Sequence, residues 1–290
     1  MCYLQVVFAF QAFNGAKQHM KILPLGLLIF LSLLTFPAMA NDPHAEHGGQ
    51  RLPAPDEGTV ALTLFPERGP AAGTSVRVVA QITYNGKPIP EDDLQTVHTQ
   101  KFHLLAIDPT FTDYQHIHPQ PTATPGSYLF TFTPKLDGGY RAWAEITLRS
   151  TGKHYFAWAD MGKLPAVHNA MHESYEAVVD GYRFELSFDE TPTVGGESMG
   201  SVTISDAGGK PVTSLEPVMG AVAHIVGFYD DYQMVAHTHP MGEEPKGDDA
   251  HGGPELMFHL APEKLGFMRL FAQVRIGGKD IYAPFGIVIK

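Results

Sequence analysis

A His-x-His-Pro motif occurs twice in this sequence, and a further histidine precedes each motif along the chain. The six residues are His103, His116 and His118 in the first set, and His224, His237 and His239 in the second. Neutral imidazole nitrogens are good ligands for zinc, copper, nickel and iron. If three of these side chains converge on one surface, they can form a metal site.

Each set is predicted to lie on a β-hairpin. In the second set, Asp230-Asp231 is a turn signal between two apolar runs. A two- or four-residue loop centred there places His224 directly opposite His237, with His239 further along the same face. The same arrangement is expected in the first set for a loop centred on Pro109-Thr110. A loop of odd length would break the arrangement, because a one-residue slip turns side chains to the other face.

Methionines near the second set influence the choice of metal. Met219 precedes His224 by a few residues, His98 occupies the corresponding position in the first set, and Met234 and Met241 flank the second strand. Thioether ligands favour Cu(I), so copper is the preferred ion and zinc the second choice, with Met219 and His98 as additional candidate ligands. The alternative is that the histidines are structural, with their nitrogens bonded to protein groups.

The histidine sets belong to a longer internal repeat. Gly86-Lys87-Pro88 recurs as Gly209-Lys210-Pro211, and Gly139-Tyr140 resembles Gly266-Phe267. The order of the matched segments is the same in both copies, which indicates duplication of one domain.

Both copies show the alternating apolar and polar residues of β-strands. The predicted strands are Thr59–Phe65, Ser75–Tyr84, Ser127–Thr133, Tyr140–Leu148, Tyr182–Phe188, Leu256–Leu260, Met268–Ile276 and Ile281–Ile289. Many short strands in each copy predict an all-β chain of two tandem immunoglobulin-like β-sandwiches. The expected domains are residues 58–160 and 174–290, joined by a linker at 161–173.

The first 40 residues are predicted to be an N-terminal extension, residues 1–19, followed by a signal peptide that starts at Met20. Lys21 precedes the apolar run Ile22–Phe36, and Ala38-Met39-Ala40 fits a cleavage site. A mature chain would begin with a flexible leader, residues 41–57, that contains His44 and His47. It would lack cysteine and a second apolar run of membrane-spanning length, so a periplasmic or secreted location is expected.

Composition narrows the possible functions. The formal net charge is −11, which disfavours nucleic acid as a partner. Common signatures of hydrolases, phosphate-binding loops and zinc proteases are missing, so a non-enzymatic role is expected, although a copper-dependent oxidase or oxygenase stays open. The sequence predicts a metal carrier or buffer. The alternative is a structural or interaction module of the cell envelope that binds a protein partner.

These motifs together resemble a known kind of bacterial domain. Lys101-Phe102-His103, the segment Tyr114–Pro119 and the strand at Gly139-Tyr140 are similar to the small exported immunoglobulin-like domains of the YtkA-like type. The resemblance spans nearly all of each copy and implies the sandwich fold. It also implies a role in metal handling or in the envelope, with the repeated histidines as candidate ligands.

Overall fold

The computed structural model describes residues 58–165, 171–242, 245–247 and 249–290. The predicted signal peptide, its cleavage site near Ala40 and the leader 41–57 lie outside the described residues, as does the middle of the predicted linker. Within the described ranges the regular structure is β-strand, apart from one 3-10 turn at Glu91–Asp93. No helix in these ranges is long and apolar enough to cross a membrane.

The first copy folds into two antiparallel sheets. Its strands are β1 Val60–Pro66, β2 Val76–Tyr84, β3 Lys87–Pro88, β4 His103–Ile107, β5 Tyr114–Ile117, β6 Gln120–Pro121, β7 Ser127–Phe132, β8 Tyr140–Thr147 and β9 His154–Met161. One sheet has the order β1-β2-β7-β6, with β3 beside β2, and the other has the order β5-β4-β8-β9.

The second copy repeats this arrangement. Its strands are β10 Glu176–Val179, β11 Tyr182–Phe188, β12 Ser198–Ser205, β13 Ala223–Tyr229, β14 Val235–Thr238, β15 Glu255–Leu260, β16 Gly266–Ile276 and β17 Lys279–Ile289. The sheets have the orders β10-β11-β12-β15 and β14-β13-β16-β17. The predicted all-β fold, two immunoglobulin-like sandwiches related by duplication, is confirmed.

One sheet of each sandwich is covered on both sides. Every residue of β4, β8, β13 and β14 is buried. Along β13, Ala223 and Ile225 point into the core of the second sandwich, whereas Val226 and Phe228 belong to a separate apolar cluster. The same alternation holds in β4, where Leu104 enters the first core. These two sheets therefore pack against each other.

A layer of aromatic and aliphatic side chains fills the space between the two sheets. Its fully buried members are Leu105, Ile107, Phe111, Tyr114, Trp143, Val226, Phe228, Tyr232, Val235 and Phe271. Each copy contributes half of them. Because His103 shares a face of β4 with Leu105 and Ile107, and His224 shares a face of β13 with Val226 and Phe228, the histidines extend this layer.

The turn of the second hairpin also contacts the first copy. The Tyr232 hydroxyl donates a hydrogen bond to the Ile107 carbonyl, and Arg141 Nη1 donates to the Tyr232 carbonyl at 2.6 Å. The Arg141 guanidinium lies 3.7 Å from the ring centre of Trp158. These polar contacts orient one sandwich relative to the other at the end of the layer that carries Phe111.

Replacing Tyr232 with phenylalanine is expected to lower the free energy of unfolding by about 1–3 kcal/mol, because the buried carbonyl of Ile107 loses a donor. Tyr175→Phe is the matched control, since Tyr175 is 40% exposed and bonds only at the surface. Its expected effect is within about 0.5 kcal/mol. Urea unfolding of the two variants measures the difference, and equal midpoints would show that the docked hydroxyl does not stabilise the interface.

Candidate metal centre

The two hairpins hold the histidines in a register that differs from the predicted one. His116 pairs with Leu105, and His237 pairs with Val226. The prediction that these histidines lie directly opposite His103 and His224 is therefore wrong by two positions. If the observed pairing is extended by one residue beyond Leu104 and Ile117, His103 lies opposite His118.

The turns explain the shift. In the first hairpin the Asp108 carboxylate accepts hydrogen bonds from the backbone N–H groups of Thr110, Thr112 and Asp113 at 2.6–2.8 Å. Phe111 then takes a left-handed conformation (φ 55°), as Tyr232 does in the second hairpin (φ 61°). Each turn is centred one residue later than expected. The loop length stays even, so the histidines keep the predicted face.

In the first copy the three candidate histidines converge. His103 Nδ1 lies 3.2 Å from His116 Nε2 and 3.1 Å from His118 Nε2. One nitrogen from each ring lies within 4.8 Å of the others. Two nitrogens bound tetrahedrally to one ion at about 2.0–2.1 Å are about 3.3 Å apart, which is close to these separations. We call these residues the first triad.

The second copy repeats the two contacts of its first histidine, and there the three nitrogens within 4.8 Å of one another belong to His224, His237 and, from the first copy, His116. His224 Nδ1 lies 3.1 Å from His237 Nε2 and 2.9 Å from His239 Nε2. Within this second triad, His224 and His237 are almost fully buried, with 0% and 2% exposure. Each triad therefore combines one Nδ1 atom from the first strand of its hairpin with Nε2 atoms from the His-x-His pair.

In His103 and His224, the ring nitrogen that faces away from the other histidines contacts a backbone carbonyl, which accepts hydrogen bonds. His103 Nε2 lies 3.1 Å from the Val97 carbonyl, and His224 Nε2 lies 3.0 Å from the Val218 carbonyl. A carbonyl oxygen cannot donate, so each Nε2 carries the proton. In the neutral ring, Nδ1 is then left with a lone pair directed at the other histidines of its triad.

Two further hydrogen bonds cross between the copies. His237 Nδ1 donates to the Glu145 carboxylate, and His116 Nδ1 lies 3.3 Å from Gln273 Oε1. The orientation of the Gln273 amide is set on its other side, where its nitrogen lies 3.1 Å from the Tyr282 hydroxyl and 3.4 Å from an Asp280 carboxylate oxygen. In their neutral forms, both histidines therefore carry their proton on Nδ1 and direct a lone pair from Nε2.

These tautomers bring lone pairs face to face. His103 Nδ1 faces His116 Nε2, and His224 Nδ1 faces His237 Nε2, at distances that normally require a shared proton. Burial, followed by the charges of neighbouring histidines, lowers the pKa of His116 and His224 well below the ordinary value. Near neutral pH these rings carry no extra proton. A cation between the lone pairs relieves the repulsion, so each triad can hold a metal ion.

Glu145 and Gln273 were not identified from the sequence. They occupy equivalent places, since Glu145 pairs with His103 across β8 and β4, and Gln273 pairs with His224 across β16 and β13. Burial alone would raise the pKa of the Glu145 carboxyl, but His237 and His154 hold it well below its usual range. His154 Nε2 lies 3.0 Å from Glu145. A polar residue at the matching position of β8 and β16 was the available signal, but both strands also contain arginine, at Arg141 and Arg269, so it was weak.

His98 and Met219 lie on matching turns that precede the first histidine of each triad. Both have a left-handed backbone, with φ 43° and 51°. The His98 ring centre lies 3.8 Å from that of His239, so His98 contacts the triad of the other copy. Met219 is half-buried. Met234 packs in the core of the second sandwich, and Met241 is 49% exposed.

Similarity to curated sequences and to a solved structure gives no indication of what this chain does. No curated protein sequence matches it. Among solved structures, the crystal structure of MtrC from Shewanella baltica OS185 matches at 9% identity, over 79% of this chain and 68% of that one, with a TM-score of 0.21. A similarity of that size supports no conclusion on fold or function.

A family model matches both copies separately, at residues 54–160 and 177–290. The two matches agree with the duplication seen in the sheets. No YtkA-like family is among these findings, so the resemblance noted in the sequence stays a prediction. Because the matched residues make up more than half of the chain, this protein belongs to the family described as Domain of unknown function (DUF8832).

Proposed function

We propose that this chain is an exported metal-binding protein that carries or buffers a transition-metal ion at its two histidine triads. The supporting observation is that two ring nitrogens in each triad approach each other with their lone pairs facing. They belong to His103 and His116 in the first triad and to His224 and His237 in the second. Neutral histidines that serve only to pack or to hydrogen-bond would adopt tautomers in which a proton lies between the two nitrogens.

Copper is the favoured ion and zinc the second. All-nitrogen sites suit copper, zinc, nickel and iron, and affinity for divalent ions is highest for copper. The ring N–H groups bonded to Val97, Val218, Glu145 and Gln273 also fit, because ligating histidines usually donate their other N–H to a carbonyl or carboxylate. Calcium and magnesium prefer oxygen ligands, which the triads do not offer.

The cellular location is part of the proposal. The apolar run Ile22–Phe36 after Lys21 supports export, and the resemblance to YtkA-like domains supports a periplasmic or secreted site of action. No catalytic residue is assigned to the protein. A role as a carrier or buffer needs only binding and release of the ion.

The test is metal titration of the purified protein with Cu(II), Cu(I) and Zn(II) in turn. We expect two ions per chain. His118→Ala and His239→Ala each remove the most exposed ligand of one triad, so each variant is expected to retain one tightly bound ion. Binding at the altered triad should weaken by at least the roughly 10- to 100-fold that loss of an outer-shell partner costs.

His259→Ala is the matched control, because His259 lies outside the triads and pairs with Glu197 at the surface. It should bind both ions as the wild type does. The proposal is wrong if dialysed wild-type protein keeps neither copper nor zinc and its thermal midpoint is the same with and without a chelator. The histidines would then serve the interface, as in a structural or interaction module of the envelope.

A further inference from the structure

The two triads are not separate in space. The ring centre of His116 lies 4.7 Å from that of His224 and 5.2 Å from that of His237. Within the first triad the corresponding separations are 4.7–5.4 Å. Rings that belong to different copies are therefore as close as rings of a single triad.

Nitrogen positions agree with the ring positions. One nitrogen from each of His116, His224 and His237 lies within 4.8 Å of the other two, although His116 comes from the first copy. Two ligand nitrogens of one ion with bonds of about 2.0–2.1 Å are at most about 4.2 Å apart. Nitrogens at this spacing belong to one ion or to two ions that are close neighbours.

We propose that the two triads form one dinuclear centre, in which two metal ions share a small bridging ligand such as hydroxide. This inference rests on the proposed metal binding and adds the number and coupling of the ions. Three histidines leave each ion an open coordination position, as in metal sites that bind water or a substrate. Paired ions in proteins lie about 3.5–4 Å apart when one oxygen bridges them.

Charge in the centre fits two ions with an anionic bridge. Two divalent cations repel strongly in a buried site, because the local dielectric constant is low. The Glu145 carboxyl group contacts the His237 ring, so an acidic side chain lies beside the second triad. A hydroxide, formed when a bound water releases one proton to solvent, supplies a negative charge between the two ions.

The duplication explains why neither copy could form this centre alone. Each sandwich supplies three ligands on the face that packs against the other copy. Each copy also supplies the residue that holds a histidine of the partner copy, Glu145 for His237 and Gln273 for His116. The centre is therefore shared across the interface and depends on both sandwiches.

The experiment is electron paramagnetic resonance of the full-length protein loaded with two equivalents of Cu(II). Two copper ions joined by one bridging oxygen are expected to couple and lose most of their signal. His239→Ala protein carries one ion at the intact first triad, so it should give the full signal of an isolated copper ion. Acid denaturation of the coupled sample should restore the signal, because it releases Cu(II), whereas reduction to Cu(I) would leave the sample silent.

Three outcomes overturn the dinuclear centre, and they are distinguishable. If two ions bind and give the full signal of two isolated ions, the triads bind metal independently and only the coupling is wrong. If one ion binds per chain, the six histidines form a mononuclear site. If no ion binds, the proposed function itself fails. His259→Ala should couple like the wild type, and circular dichroism of each variant checks that the β-structure is retained.

Discussion

Replacing Glu145 with glutamine is expected to weaken metal binding at the second triad by about 10- to 100-fold, the usual cost of losing an outer-shell partner. The ionised carboxylate accepts the Nδ1 proton of His237 and so increases the electron density that His237 Nε2 offers to an ion. A neutral amide at this position accepts the same proton but supplies no charge. The first triad should change less, although Glu145 lies beside His103 across the sheet, because the contact that the carboxylate makes in the second triad is made there by the Gln273 amide.

The second copy provides the matched reverse experiment. Gln273 holds His116 in the place where Glu145 holds His237, so Gln273→Glu should strengthen the first triad by a similar factor. Titration against a chromophoric chelator should resolve two affinities in the wild type and bring them together in Glu145→Gln. If both substitutions leave both affinities unchanged, the carboxylate only positions its histidine and does not tune the ion.

The variants His118→Ala and His239→Ala also test which triad binds the first metal ion. Glu145 accepts a hydrogen bond from a ligand of the second triad, whereas an amide takes that place in the first triad, so the second triad should hold a divalent ion more tightly than the first. At one equivalent of metal, the wild type and His118→Ala should therefore give similar spectra, while His239→Ala should differ. Identical spectra for all three proteins would show that the ion does not prefer the second triad.

The strands were predictable because their side chains alternate. Tyr182–Phe188 was predicted from alternation and forms β11 with the same bounds. The strand β4 differs, because His103–Ile107 is buried on both faces and every residue after His103 is apolar. Such runs indicate a sheet covered on both sides. That signal was present in the sequence, but nothing in it identified the second copy as the covering surface.

The site was predictable in composition and only partly in geometry. Spacing correctly placed the histidines of each hairpin on one face. It missed the register because Asp108 organises the first turn through its side chain, an interaction that a simple count to the turn centre ignores. The contacts of Glu145 with His237 and of Gln273 with His116 join different copies. Spacing within one repeat cannot reveal contacts that arise only when two repeats pack.

The metal-free chain is expected to lose stability steeply in mild acid. Burial lowers the pKa of His103 to about 3 and that of His118 to about 4, although the Glu145 carboxylate acts in the opposite direction on both. The pKa values of the fully buried His116 and His224 are also well below the ordinary value. In the unfolded chain these rings return to a pKa of about 6.5.

Whether stability rises or falls with pH depends on whether the folded or the unfolded chain binds more protons. Above pH 6.5 these histidines are neutral in both states and the stability does not change. Below pH 6.5 the unfolded chain takes up protons that the folded chain refuses, so each such histidine costs about 1.4 kcal/mol per pH unit until its folded pKa is reached. For the three buried histidines, His103, His116 and His224, we expect the free energy of unfolding to fall by about 4 kcal/mol per pH unit in total. A typical domain has only about 5–15 kcal/mol of stability, so the metal-free protein should unfold within a few pH units below 6.5.

Urea unfolding of chelator-treated protein between pH 7.5 and 4.5 measures this slope directly. Bound metal competes with protons for the same lone pairs, so the metal-loaded protein should remain folded at a lower pH than the metal-free protein. His259→Gln, at a half-buried site outside the triads, should change the slope far less than His103→Gln, which should reduce it by about one histidine's share, or 1.4 kcal/mol per pH unit. A flat profile from pH 7 to pH 5 would mean that the folded protein accepts protons in its triads. The facing lone pairs would then be bridged by hydrogen and would no longer require a metal ion.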